Sequence, residues 1–470
     1  MDRRTVERMA ADPPDDQPDD DPFGLSKLLG SLGMGPGGAD LMSQLQNLMV
    51  GADGPVNWAL ATQIAEGAID QTETVPEHQG REIADAGRLA DLWLDPVTTL
   101  PASGLGPQAW TRHEWLQQTL ASWKQLVDPV AARVTTAMGG AMEEGLLGDD
   151  MMEGLPPELS GLLAGLGPNP FAGVLGQVGG VVFGAQVGMA LSALAQEVLS
   201  TSDIGIPLGR SALVPANIEA FADGLEVPLD EVRLYLSLRE AAHQRLFGQV
   251  PWLKAHLYDA VDAYARGIEV DPAAIERAVS SFDAENPAAM QEALANGGAG
   301  LFELESTPAQ ESALARLELA LALVEGWVDL VVDEASSATL PHATQLRETV
   351  RRRRASGGPA EQTFATLVGL QLRPRRLREA AELWQALTAA RGIEGRDALW
   401  EHPDLLPGAV DLDDPAAWIA GASGPDGLTD VDGMKVRDWD AGLQALRDSD
   451  SDEGDGGPGP APSEPPGPAG

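Results

Sequence analysis

One segment dictates what kind of fold this chain can have. Ser306 to Glu334 reads STPAQESALARLELALALVEGWVDLVVDE and opens on a strong helix start, with Thr307 as N-cap, Pro308 at the first helical position and Gln310 at the third. The helix then runs for about 40 Å at 1.5 Å per residue. From Leu317 to Val332 it is apolar nearly all round, so it belongs at the centre of a body built from other elements. Glu318, Glu325 and Asp329 nevertheless line up along one stripe, at offsets of seven and eleven. Buried carboxylates without partners are costly, so this row demands cations, either a metal or arginine.

The rest of the chain supplies the other helices. It has 470 residues, 43% of them hydrophobic, enough for a sizeable core. Strand-like alternation is absent almost everywhere, and the expected fold class is all-α. The expected organisation is an acidic disordered tail at 1–22, a helical region at 23–168, a helical core at 169–421, and a segment at 422–470 ending in a disordered Pro/Gly tail. The helical region contains a first block from about Pro55 to Val130 and a mobile Met/Gly/Pro-rich connection from Met138 to Pro168. A boundary at 140–168 and one continuous helical body fit equally well.

Charge and chemistry narrow the function classes. The formal net charge is -41, and most of it lies on the body rather than in the acidic tails. Such a surface repels nucleic acid and anionic membrane, which need cationic side chains to displace counterions. There are no cysteines, which excludes disulfides, thiol catalysis and Cys-ligated zinc. The polar, acidic start reads as no signal peptide, and a cytoplasmic location is expected. Asn169 to Gln196 carries no charge and is long enough to span a bilayer. However, Gln177 and Gln186 sit inside it, and Gly176, Gly180, Gly184 and Gly188 recur every four residues. A buried helix whose glycine face admits another helix backbone is expected, not a membrane span.

The chemistry concentrates on the helix that starts near Pro228. Val232, Leu236, Arg239, His243 and Leu246 share its apolar stripe, with Glu240 on the flank. The run Arg239-Glu240-Ala241-Ala242-His243 has the ExxH part of a zincin HExxH with arginine at the first position, a short match that chance alone can also produce. In HExxH two imidazoles one turn apart reach one zinc, and the glutamate activates the bound water. A guanidinium cannot ligate. The next helix, after a short GQVP turn, carries His256 on its own apolar stripe. An antiparallel hairpin of the two helices would set His243 and His256 face to face.

Two readings of these residues stay open. In one, Arg239 and the acid row form an internal network that fixes helix packing. In the other, His243, His256 and Glu325 ligate zinc, and Asp329 supports them one turn further on.

PAQESALARLELALALVEGWVDLVV, RRRRASGGPAEQTFATLVGLQLRPRRLREAAELW and ARGIEGRDALWEHPDLLP resemble recurring segments of the actinobacterial zincin-like metallopeptidase type 2 family. The resemblance covers about residues 20–421. Some members of that family are linked by name to coenzyme F420 biosynthesis. It implies a zinc-dependent metallohydrolase acting on a peptide or protein, with Glu240 as general base and His243 and Glu325 as ligands. Arg239 departs from the pattern and opens the alternative of an inactive pseudo-peptidase that acts by binding. There Arg239 would replace the charge of the metal by pairing with Glu318, Glu325, Asp329 or Glu240.

The remaining features are weaker. His113-Glu114-Trp115-Leu116-Gln117 is an incomplete HExxH and reads as a helix turn. Arg347, Arg351–Arg354, Arg373, Arg375, Arg376 and Arg378 form a basic island in an acidic chain, expected to pair with acids of the same chain. There is no G-x-G-x-x-G, P-loop or G-x-S-x-G, so nucleotide and serine-hydrolase functions lack support.

Overall fold

Thr307 starts the central helix as its sequence demands. Its hydroxyl accepts from the Gln310 N–H at 3.1 Å and donates to the Gly267 carbonyl at 2.8 Å, and Pro308 occupies the first turn. The computed structural model describes residues 54–104, 106–145, 170–268, 307–358, 361–362, 365 and 369–421. The expected acidic tails, and most of the connection before Pro168, lie outside the described residues.

Eleven α-helices account for most of the described chain: α1 (Trp58–Gly67), α2 (Glu77–Leu94), α3 (Arg112–Gly145), α4 (Pro170–Glu197), α5 (Pro215–Ala222), α6 (Leu229–Gln249), α7 (Pro251–Arg266), α8 (Pro308–Ser336), α9 (Ala343–Ser356), α10 (Leu377–Asp397) and α11 (Pro415–Gly421). Among the described residues the strands are β1 (Gln108–Ala109) and β2 (Ala212–Leu213), parallel, with Gln108 opposite Ala212 and Ala109 opposite Leu213. The body is all-α. Helix α3 carries Pro129 inside it and continues into the segment expected to be a connection. Proline there removes one main-chain hydrogen bond, and the helix continues for about four more turns.

The chain divides into two compact units. One comprises Met1–Ala61, Val134–Gln186 and Glu269–Glu305; the other comprises Thr62–Arg133, Val187–Ile268 and Ser306–Gly470. In the first, two of the spaced glycines face main chain. The Asn57 N–H donates to the Gly180 carbonyl at 2.9 Å, and a Cβ on Gly184 would come within 2.6 Å of the Asn57 carbonyl oxygen. The glycine face thus admits the segment leading into α1, where a helix was expected. The stretch Gly179–Glu197 is long and apolar enough to cross a membrane by composition, and 65% of it is buried within the protein.

The second unit is organised around α8. Nearly every side chain from Leu317 to Val332 is buried, and α10, α7, α6, α9 and α2 pack around it. Gly326 sets the approach of α10, since a Cβ there would lie 2.7 Å from the Ala380 Cβ and 2.8 Å from the Ala381 nitrogen. Trp384 of α10 donates its indole N–H to the Leu323 carbonyl at 2.9 Å. Beyond the Val250 joint, α7 runs along α8 and touches α6 only slightly, so the two form no face-to-face hairpin. The apolar stripe of α7 finds far more surface on the all-apolar α8 than on α6, whose stripe is broken by Arg239 and His243.

Candidate functional site

Glu325 sits at the middle of α8, fully buried. Its Oε2 accepts from Arg239 Nη2 of α6 at 2.5 Å. Its Oε1 lies 3.3 Å from His243 Nε2 and 3.3 Å from Arg354 Nε of α9. None of these last three atoms completes a hydrogen bond. The opposite edge of the imidazole is fixed, because Nδ1 donates to the Arg239 carbonyl at 2.9 Å and the ring stacks on Phe247. Burial alone would raise the Glu325 carboxyl, but Arg354, Arg239 and His243 together hold it well below the usual carboxylate range. Burial opposes charge on Arg239 too, and Glu325 with Tyr235 and Asp329 more than restores it.

The neighbouring residues of the motif point to different tasks. Glu240 is fully buried, and its oxygens are taken up: Thr201 Oγ1 donates to Oε1 at 2.7 Å, Gln244 Nε2 donates to Oε1 at 2.9 Å, and the Ser202 N–H donates to Oε2 at 3.1 Å. The side chain expected to be a general base ties the Ser200–Ile206 turn to α6. That turn reaches Glu325 as well. Gly205 takes the left-handed φ of +77°, and a Cβ there would sit 3.0 Å from Glu325 Oε1 and 3.2 Å from Arg354 Nη2.

Of the expected acid row, only Glu325 reaches the motif. Glu318 is partly exposed and pairs with Arg375 at 3.1 Å. Asp329 is buried between two arginines of α9: Arg347 donates from Nε and Nη2 at 3.0 and 2.7 Å, and Arg351 donates from Nε and Nη2 at 3.0 and 2.5 Å. His256 stands apart on α7, half-buried, with its ring edge-on to Trp252. Burial and the nearby Arg316 lower its pKa. Thus His243 and Glu325 come together, and His256 does not complete a ligand set with them, because α7 packs on α8 and not back on α6.

Most of the basic island pairs with acids of the same chain, Arg373 excepted, whose buried Nε has no hydrogen-bond partner among the described residues. Besides the Asp329 pairs, Arg353 meets Asp203 at 3.1 Å, Arg354 pairs with Glu361, Arg376 with Asp413, and Arg378 with Glu348. Arg354 is the residue of the Glu325 cluster that reading the charge run as one patch missed. Arg347, Arg351 and Arg354 recur at intervals of four and three, which puts them on one helix face, and that was the available signal. His113-Glu114 forms a helix start: the Thr111 N–H donates to Glu114 Oε2 at 2.8 Å and the Glu114 N–H to Thr111 Oγ1 at 3.0 Å.

Zinc needs three or four donors at about 2.0–2.3 Å. Among the described residues no group of three or more His, Asp or Glu side chains is disposed to hold a metal. Two guanidiniums contact the one carboxylate available, and neither can become a donor. The residues present do not fit a zinc ion.

A profile of the zincin-like metallopeptidase family matches residues 56–419. The crystal structure of a protein from Chloroflexus aurantiacus, provisionally assigned as a hydrolase with a novel fold, is similar to this one with a TM-score of 0.51 and 20% sequence identity, over 78% of this chain and 98% of the other. At that identity the likeness concerns the fold. No curated protein sequence matches the chain. The family generally implies zinc, and the match covers most of the sequence: the chain belongs to the zincin-like metallopeptidase family.

Proposed function

We propose that this chain is a pseudo-peptidase, a family member that performs no zinc-dependent hydrolysis and acts by binding a peptide or protein partner in the cytoplasm. The observation that carries the reading is the buried pair of Arg239 Nη2 and Glu325 Oε2 at 2.5 Å. In HExxH that helix position offers a neutral imidazole to the metal. Here it offers a fixed positive charge to the carboxylate that would otherwise be a ligand. Glu240, which would activate water, spends its lone pairs on Thr201, Ser202 and Gln244. His243 and Glu325 are both nearly inaccessible to solvent, at 2% and 0% exposure, so a scissile bond has no route to them. The net charge of -41 argues against nucleic acid as the partner.

One observation favours a second reading, a zinc-dependent hydrolase. His243 Nε2 and Glu325 Oε1 face each other at 3.3 Å without a hydrogen bond, as two side chains converging on one ion would. Metal analysis of the purified chain after zinc incubation and buffer exchange separates the two. The proposal expects far less than one zinc per chain, no melting shift with zinc and no chelator-sensitive peptidase activity. Stoichiometric zinc with a raised melting temperature would establish the hydrolase instead.

A further inference from the structure

We infer that Arg239 is only half of the device that replaces the metal, and that Arg354 is the other half: the two guanidiniums, sharing Glu325 beside His243, supply the two positive charges of a divalent cation. This rests on the pseudo-peptidase reading and names what enforces it. Arg239 covers Oε2 of the carboxylate, while Arg354 Nε lies 3.3 Å from Oε1, the same oxygen that His243 Nε2 faces at 3.3 Å. A cation thus faces each carboxylate oxygen, and the single imidazole edge pointing at the site points at the oxygen that Arg354 also faces, with no hydrogen bond completed there.

Arg354 is built into that position. Its side chain is 2% exposed, and its far end pairs with Glu361. Helix α9 is pinned at the right register by Arg347 and Arg351, both on Asp329, which lies one turn beyond Glu325 on α8. The main chain at Gly205 closes over Arg354 Nη2 and Glu325 Oε1 so tightly that a Cβ there, at 3.2 and 3.0 Å from them, would press on both. A guanidinium buried in this way cannot shed its proton to make room for an ion. A zinc ion beside Glu325 would meet that charge at contact distance in a low-dielectric core, where like charges repel most strongly. Rebuilding the motif by changing Arg239 alone is therefore insufficient.

Zinc stoichiometry tests this on the full chain, in four forms. Wild type, Arg239→His and the charge-preserving control Arg239→His/Arg354→Lys should each retain under about a tenth of an equivalent of zinc, whereas Arg239→His/Arg354→Gln should approach one and melt higher with zinc than with chelator. Stoichiometric zinc in Arg239→His overturns the role of Arg354 and leaves the pseudo-peptidase reading standing. Stoichiometric zinc in wild type overturns both. Absence of zinc from Arg239→His/Arg354→Gln with helical circular dichroism intact also overturns the inference, since clearing both charges then creates no site. If that variant lacks helical signal without metal, refolding it with zinc or with chelator decides: recovery only in zinc supports the inference, and failure in both overturns it.

Discussion

Two carboxylates one turn apart on α8 have opposite characters. Asp329 accepts four N–H groups from Arg347 and Arg351, all at 2.5–3.0 Å. Both arginines keep about a fifth of their side-chain surface in water, at 22% and 20%. Glu325 has one short bond to Arg239 and two long contacts at 3.3 Å, from partners that are 2% exposed. Asp329 is a saturated structural clamp. Glu325 is a charge neutralised from three sides but hydrogen-bonded from only one. A carboxylate can therefore be held ionised mainly by nearby charge while one of its oxygens stays poorly hydrogen-bonded.

The comparison breaks most sharply under truncation. Glu325→Ala strands two buried guanidiniums and should destabilise by about 3–5 kcal/mol, whereas Asp329→Ala, whose arginines can reach water, should lose roughly 1–3 kcal/mol. Urea unfolding of the two variants reads the difference, and equal losses would erase the distinction. Arg239→Ala leaves Arg354 on Glu325 and should fall between them, at about 3 kcal/mol. A melt identical to wild type would mark Arg239 as dispensable.

Acid sharpens the contrast next. Because its folded pKa is depressed, Glu325 contributes stability that is fully present above its unfolded value of about 4.3 and is lost as pH falls through the lower folded value. Chemical denaturation between pH 5 and pH 2, ranges in which such carboxylates titrate at roughly these values, should show a wild-type decline that Glu325→Gln flattens. An unchanged slope in the variant would remove Glu325 from the acid response.

Smaller effects come from the rim. Gly205→Ala must adopt φ of +77° and press on Glu325 and Arg354, and should cost roughly 1–2 kcal/mol. His256→Ala should cost under about 1 kcal/mol, since a half-buried ring gives up its edge-on contact with Trp252 and no buried ion pair. A loss as large as that of Glu325→Ala would show His256 to be part of the buried cluster after all.

What was legible follows from what one helix can encode. The cap at Thr307, the burial of Leu317–Val332 and the need of Glu325 and Asp329 for cations were all readable from α8 alone, because helical period and desolvation cost are local properties. The pairing of Arg239 with one of a few acids was readable as a short choice. The site was legible only in part. His256 occupies an apolar stripe like that of His243, and the stripe says which face is buried but not which helix covers it.

The sequence by itself determined an all-α body, a charge debt at its centre and a motif unable to ligate zinc through its first position. Only the tertiary structure decided how the debt is met. It brought Arg239 across 86 residues and Arg354 from the last turn of α9 onto one carboxylate, gave Arg347 and Arg351 to the next, and left His256 beside Trp252. The physical reason is that arginine side chains are long and their acids nearly equivalent in composition. Which pairs form depends on helix crossings, and those are set by contacts such as Gly326 against Ala380 and Ala381, in which no charged side chain takes part.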